Sequence, residues 1–146
     1  HTYLERNYMF YLSFENSICE DYVTEKFWKV LNGNLVPIVL GGANYEEIAP
    51  PHSYINTLDY KSPKELANYL KYLISNTTAY SEYFKWTDYF SVHQDRNRVM
   101  CQICEKLNEI PTSQPNIYKD IKHWWKDMGN CNDISAWTEL INSIFG

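Results

Sequence analysis

No part of this sequence is a long apolar run. Nothing in it approaches the ~20 consecutive apolar residues of a membrane-spanning helix. Positive charge is also short: 13 Lys and Arg stand against 18 Asp and Glu, a net charge of −5. That excludes a general nucleic-acid binder, which needs a basic face for phosphate. Only five glycines occur in 146 residues, and no glycine-rich loop precedes the first helical pattern. Neither the dinucleotide fingerprint nor the P-loop is therefore available. No Asp-x-Asp pair occurs, which disfavours a transferase that grips its diphosphate through a bound metal. No signal-peptide pattern is visible, but the chain opens "HTYLERNYMF" without a Met. It reads as a start in mid-protein, so that lack says nothing about compartment. Low-complexity segments, repeats and linkers are missing too.

What is present is core-forming. Hydrophobic residues make up 45% and aromatics 16%, enough to build one domain or one lobe of a larger one. "NYMFYLSF" (7–14) is short and aromatic and reads as a strand. "EDYVTEKFWKVLNG" (20–33) puts Val23, Phe27, Val30 and Leu31 on one helical face, with Asp21 as a candidate N-cap and Gly33 as a C-cap. "LVPIVLGG" (35–42) lacks alternation, as a parallel strand buried on both faces does, although Pro37 removes one ladder donor. "SYINTLDY" (53–60) is a further candidate strand. "SPKELANYLKYLI" (62–74) opens with a capping box from Ser62 to Glu65 and Pro63 at the first helical position; Leu66, Leu70, Leu73 and Ile74 form its stripe. Helical patterns follow at roughly 78–86, 96–107, 118–128 and 134–145. The order predicts an α/β layer with a helical C-terminal tail.

The densest chemistry lies between the first strand and the first helix, in "YLSFENSICEDYVTEKFW" (11–28). In open α/β sheets ligands bind beyond the carboxyl ends of the strands. A helix start offers free N–H groups and partial positive charge to a phosphate, and Lys26 adds a full charge. A carboxylate beside it accepts from sugar hydroxyls, and Asn16 both donates and accepts. The set Asn16, Tyr22, Glu25 and Lys26 thus suits a nucleotide sugar. The plainer reading is an ordinary helix surface, with Glu25 and Lys29 at i,i+4 and Glu20 or Asp21 paired to Lys26.

The blocks "FYLSFENSICEDYVTEKFW", "VPIVLGGANYEEIAPPHSYI", "SPKELANYLKYL" and "YFKW" resemble the donor-binding C-terminal lobe of the α1,3-fucosyltransferases. The resemblance covers roughly residues 8–104, and the tail more loosely. It implies a Rossmann-like lobe of a two-lobed GT-B glycosyltransferase, with residues 1–95 as the GDP-fucose-binding α/β lobe and 96–146 as a helical tail packed on it. It implies inverting transfer of fucose from GDP-fucose, in α1,3 linkage, to GlcNAc of N-glycans or other glycoconjugates. Lys26 is then expected at the diphosphate, Glu25 at the nucleotide's sugar hydroxyls, Tyr22 and Asn16 lining the donor pocket, and Tyr11 beside the guanosine, where the alternative is a plain strand aromatic. No metal or other cofactor is implied. The general base and a second phosphate cation are expected from a preceding acceptor lobe that this chain lacks, with Glu15 and Glu25 as substitutes only if that fails. The catalytic residues are thus left unassigned, and these 146 residues alone are expected to bind donor without transferring fucose. The family also implies the Golgi lumen and a type II membrane protein anchored by a segment outside this chain. "GGANYEEIAPPHSYI" and "YKDIKHWWKDMGNC" look most like invertebrate enzymes that modify the core GlcNAc. A non-catalytic carbohydrate- or GDP-binding module is the alternative.

Four cysteines occur. Cys101 and Cys104 in "CQIC" fall mid-helix, which argues against a redox motif. Zinc would need Cys131 and His123 at a spacing no finger uses. The family carries a similar Cys-x-x-Cys in an oxidising lumen, which makes Cys101, Cys104 and Cys131 disulfide candidates with open connectivity. Cys19 reads as a plain buried thiol. Asn76-Thr77-Thr78 is a glycosylation acceptor that would have to be exposed. His52 and His93 are lone histidines and read as structural or surface residues. "HWW" (123–125), in register with Ile121 and Met128, reads as core.

Overall fold

The structure, a computed structural model, describes residues 2–93, 96–109, 117–131 and 142. Helix α1 (Thr2–Asn7) leads into strand β1 (Phe10–Phe14), followed by α2 (Glu25–Leu31), β2 (Val36–Leu40), α3 (Tyr45–Ile48) and β3 (Ile55–Asn56). Helices α4 (Pro63–Ser75), α5 (Thr77–Ser81), α6 (Arg96–Asn108) and α7 (Ile121–Lys126) complete the described elements. Short 3-10 turns cover Thr57–Asp59 and Glu82–Asp88.

The three strands are parallel in the order β1-β2-β3, with Phe10 opposite Val36 and Ile38 opposite Ile55. β2 is buried on both faces, as its unbroken apolar run requires. Val39 joins Phe27 and Leu31 of α2 and Tyr45 of α3 in one cluster. Val36 and Ile38 join Leu73 of α4 and Tyr83 in the other. The period-two alternation of a strand thus assigns one helix layer to each side. Pro37 is tolerated in this central strand for a geometric reason. The Val36 N–H donates to the Met9 carbonyl on the β1 side (3.0 Å), so alternation turns the Pro37 nitrogen toward β3, whose pairing starts only at Ile38.

Several predicted boundaries shift. The helix expected from residue 20 begins at Glu25; Asp21 adopts φ 59° and lies in the loop, and the N-cap is Thr24. Gly33 lies outside the left-handed region. Its lack of a side chain gives room instead, since a Cβ there would meet the Glu5 carboxylate. The third predicted strand shrinks to Ile55–Asn56 and passes into a 3-10 turn capped by the Asn56 side chain. The helix at 62–74 forms as predicted, with Ser62 Oγ accepting from the Glu65 N–H (3.2 Å). The reciprocal bond of its capping box slips one residue, to the Lys61 N–H (2.8 Å). Leu73 is its buried residue, whereas Ile74 is exposed. The pattern at 78–86 splits into α5 and a 3-10 turn, and the one at 134–145 lies outside the described residues.

The reading of "HWW" as core is corrected. Trp125 is 50% exposed, Ile121 and Met128 are exposed, and only Trp124 is half-buried. The cysteine expectations change as well. Cys19 is bonded to Cys131 across 112 residues, while Cys101 and Cys104 are free and exposed on α6. Asn76 is half-buried and caps α5, accepting from the Ala79 N–H (3.0 Å) and donating to the Tyr72 hydroxyl (3.1 Å). His52 stacks on Tyr83 with ring centroids 4.0 Å apart, and His93 pairs with Ser91. Both are exposed residues, in keeping with the structural or surface reading.

Candidate functional site

The carboxyl end of β1 places Ser13 and Glu15 two residues apart and therefore on one face of the strand. Both reach the first turn of α2. Ser13, fully buried, donates its hydroxyl to the Lys26 carbonyl (3.1 Å). Glu15 accepts from the Thr24 N–H (2.8 Å) and from the Thr24 hydroxyl (2.7 Å). The Lys26 ammonium lies 3.6 Å from the same carboxylate and donates to the Thr24 hydroxyl at 3.3 Å. The Glu15 side chain has no exposed surface, and that of Lys26 is 27% exposed. A buried carboxylate is costly unless paired and hydrogen-bonded. Here Thr24 supplies the hydrogen bonds and Lys26 the charge.

The neighbouring loop is built to admit this group. The Glu15 N–H donates to the Leu40 carbonyl (2.9 Å), which carries the β1–β2 ladder one step past the strands. Gly41 follows, and a Cβ on it would lie 3.3 Å from Glu15 Cγ and would collide with the Tyr45 hydroxyl. A Cβ on Gly42 would lie 2.6 Å from the Cys19 carbonyl oxygen. Neither glycine has positive φ, so both serve close approach and not an unusual backbone. Tyr45 is buried, and among the described residues its hydroxyl has no partner. Burial, with the Glu15 charge next, pushes its pKa up to about 12.

The predicted site residues divide into groups. Lys26 stands at the centre of the network. Glu25 precedes it on α2 and Asn16 follows Glu15 in the loop; both residues are exposed. Tyr22 turns toward the C-terminal segment, edge-on to Trp125 with centroids 5.8 Å apart. Together with Cys19, Asp21, Trp124, Trp125 and Met128 it lines an open cavity of about 370 Å³. Tyr11 lies in mid-strand opposite Pro37, half-buried and away from the carboxyl end. Among the described residues no hydrogen bond or ion pair joins Tyr11, Asn16, Tyr22 or Glu25 to Lys26. The short α2 also lessens the expected help from a helix dipole, and Glu15 already accepts from its N-cap N–H. Glu15 itself, with no exposed surface, is not placed to take a proton from an arriving hydroxyl, which removes it as a substitute base.

Sequence reasoning missed the organising role of Glu15. The available signal was its position: an acid two residues after Ser13, at a strand's last step, ahead of a Thr at a helix N-cap. The Cys19–Cys131 bond and the adjacent contacts were also missed. Glu20 donates its N–H to the Gly129 carbonyl (2.9 Å) and accepts from the Asn130 amide (2.7 Å). Sequence distance hid this tether.

Comparison with known proteins identifies the family. The family model described as "Glycosyltransferase family 10 (fucosyltransferase) C-term" matches residues 1–124. The chain is 46% identical over 113 residues to alpha-(1,3)-fucosyltransferase fut-1 of Caenorhabditis elegans, covering 70% of this chain and 26% of that protein. It is 41% identical over 135 residues to glycoprotein 3-alpha-L-fucosyltransferase A of Drosophila melanogaster, covering 88% and 26%. It is 37% identical over 123 residues to alpha-(1,3)-fucosyltransferase C of Drosophila melanogaster, covering 84% and 28%. It spans about a quarter of the length of these relatives. With its mixed α/β fold and small parallel sheet, the chain belongs to glycosyltransferase family 10, the fucosyltransferases, and corresponds to their C-terminal region.

Proposed function

We propose that this chain is the donor-binding part of an α1,3-fucosyltransferase acting from GDP-fucose. The observation that carries the reading is Lys26: a partly exposed lysine side chain whose ammonium is held at the carboxyl end of a parallel strand by a wholly buried carboxylate side chain. That is where open α/β sheets bind ligands, and the charge suits a diphosphate. In this reading Lys26 contacts the diphosphate, Glu25 the nucleotide's sugar hydroxyls, and Asn16 and Tyr22 the walls of the donor pocket. The sheet is then the core of a Rossmann-like lobe in a GT-B enzyme.

The reaction is a direct displacement. The acceptor GlcNAc oxygen bonds to C1 of fucose, the bond from C1 to the diphosphate oxygen breaks, and GDP leaves with the electron pair. The hydroxyl proton passes to a base outside these residues. Charge grows on the leaving diphosphate, and a preorganised cation there lowers the barrier. Among the described residues no cluster of His, Cys, Asp and Glu is arranged to hold a metal ion. Lys26 supplies positive charge at the diphosphate in this account.

The relatives' names speak of 3-linked fucose, and one of them of glycoproteins. An N-glycan acceptor in the Golgi lumen, a type II membrane anchor elsewhere in the protein and a glycan on Asn76 extend the same reading. The test is to incubate the complete protein with GDP-fucose and two acceptors, an N-glycan core and a terminal lactosamine, and to read linkage by NMR. An α1,3-fucosylated product with released GDP is expected. GDP binding without transfer to either acceptor would favour a non-catalytic module.

A further inference from the structure

We infer that Glu15 is a positioning residue of the transferase site, acting by fixing Lys26 from inside the protein. The inference rests on the proposed role of Lys26 at the donor diphosphate and adds the group that makes that role possible. A free lysine side chain carries several rotatable bonds and loses rotamer freedom when fixed. Lys26 is instead held at both ends. Ser13 binds its backbone carbonyl, and Glu15, with the Thr24 hydroxyl, binds its ammonium. Ser13 lies in β1 and Glu15 directly follows it on the same face, so both anchors come from the strand's carboxyl end.

An N-cap alone does not account for the arrangement. The Thr24 N–H needs only an acceptor, and a neutral Gln in the capping-box position provides that. A wholly buried carboxylate adds a charge that destabilises the fold unless a cation sits beside it. The groups that the structure places around the Glu15 side chain are the Thr24 N–H and hydroxyl, the Lys26 ammonium, Gly41 and the unpartnered Tyr45 hydroxyl. Among the described residues Lys26 is the cation that an ion-pair contact places beside Glu15. The ammonium is therefore drawn to a fixed point before any donor arrives. The Lys26 side chain stays 27% exposed, and a diphosphate reaching it would share the same cation. Glu15 touches no substrate in this scheme and works through Lys26.

The test is a double-mutant cycle in the complete enzyme, using Glu15→Gln, Lys26→Ala and the pair. Glu15→Gln keeps the shape and an acceptor for the Thr24 N–H but removes the charge. It is expected to lower kcat/KM for GDP-fucose about 10- to 100-fold, with thermal stability nearly unchanged. In the Lys26→Ala background the same change is expected to cost less than about threefold, since residues acting through one another are not additive. It is also expected to restore stability there, because it removes a buried charge left without its partner. If Glu15→Gln alone does not fold, Thr24→Val against Thr24→Ser reads the same coupling through the shared hydroxyl, with GDP inhibition as the signal; loss in Val and retention in Ser is expected. Full multiplication of the two single effects, or no effect of Glu15→Gln and Thr24→Val, overturns the inference and leaves the role of Lys26 standing. No effect of Lys26→Ala on turnover or GDP inhibition overturns the underlying reading instead.

Discussion

The loops leaving the carboxyl ends of β1 and β2 lie side by side and are built in opposite ways. The first spans residues 15–24 and is held by chemistry: Glu15 bonds Thr24, Cys19 is bonded to Cys131, and Tyr22 packs on Trp125. The second opens with Gly41 and Gly42 and contributes space. Side chains at one strand end can close into a buried network only where the neighbouring backbone offers no Cβ. The polar site thus depends on two residues that carry no functional group at all.

The severest way to break the first loop is to cut its long tether. Cys131→Ser opens a disulfide spanning 112 residues, and the chain-entropy model gives a loss of about 4–5 kcal/mol. Denaturant unfolding of the oxidised protein measures it. Cys104→Ser, at a free and exposed thiol, is expected to change stability by less than about 0.5 kcal/mol. Equal losses from the two would mean that the tether is not this bond.

Filling the second loop is the next largest change. Gly42→Ala drives a Cβ against the Cys19 backbone carbonyl, which cannot swing away, and is expected to cost about 1–3 kcal/mol. Gly41→Ala meets side chains, the Tyr45 hydroxyl and Glu15 Cγ, which can shift. It is expected to cost less stability than Gly42→Ala but more activity in the complete enzyme. Reversal of that order would show that space in the two glycines is not divided between backbone and site.

The mildest change concerns the unpartnered Tyr45 hydroxyl. Its pKa is raised from 10.0 to about 12, so the folded state keeps a proton that the unfolded chain releases. Its share of stability is complete below pH 10 and is lost as pH rises toward 12. Tyr60 and Tyr80 behave alike, chiefly through burial. Tyr45→Phe removes a buried group with no partner and is expected to change stability at pH 7 by less than about 1 kcal/mol. It is also expected to lessen the alkaline loss, which pH-dependent unfolding would record.

Local patterns carried most of the fold. The unbroken run at β2 implied burial on both faces, and Ser62, Pro63 and Glu65 marked the start of α4, because those signals act within one turn or one strand. Lys26 was legible for the same reason, as a cation at a strand-to-helix junction. Its partner was not. Glu15 precedes Lys26 by eleven residues, and only the closing of a loop brings them together. The Cys19–Cys131 bond was further still from any local signal, and the spacing of Cys101 and Cys104 drew attention away from it. The exposed faces of Trp125, Ile121 and Met128 were misread because helical periodicity shows which residues share a face, not what that face meets.

The central claim is that Lys26 serves the donor diphosphate, and comparison of two lysines on one helix tests it. Lys26→Ala and Lys29→Ala are assayed in the complete enzyme for fucosyl transfer per folded molecule. Loss of a preorganised phosphate contact is worth roughly 2–4 kcal/mol, so Lys26→Ala is expected to lower the rate by about two to three orders of magnitude. Lys29 is exposed, and its loss is expected to cost ~0–1 kcal/mol of stability and to leave transfer within about twofold. Equal effects of the two substitutions, or a Lys26→Ala loss fully explained by unfolding, would contradict the account.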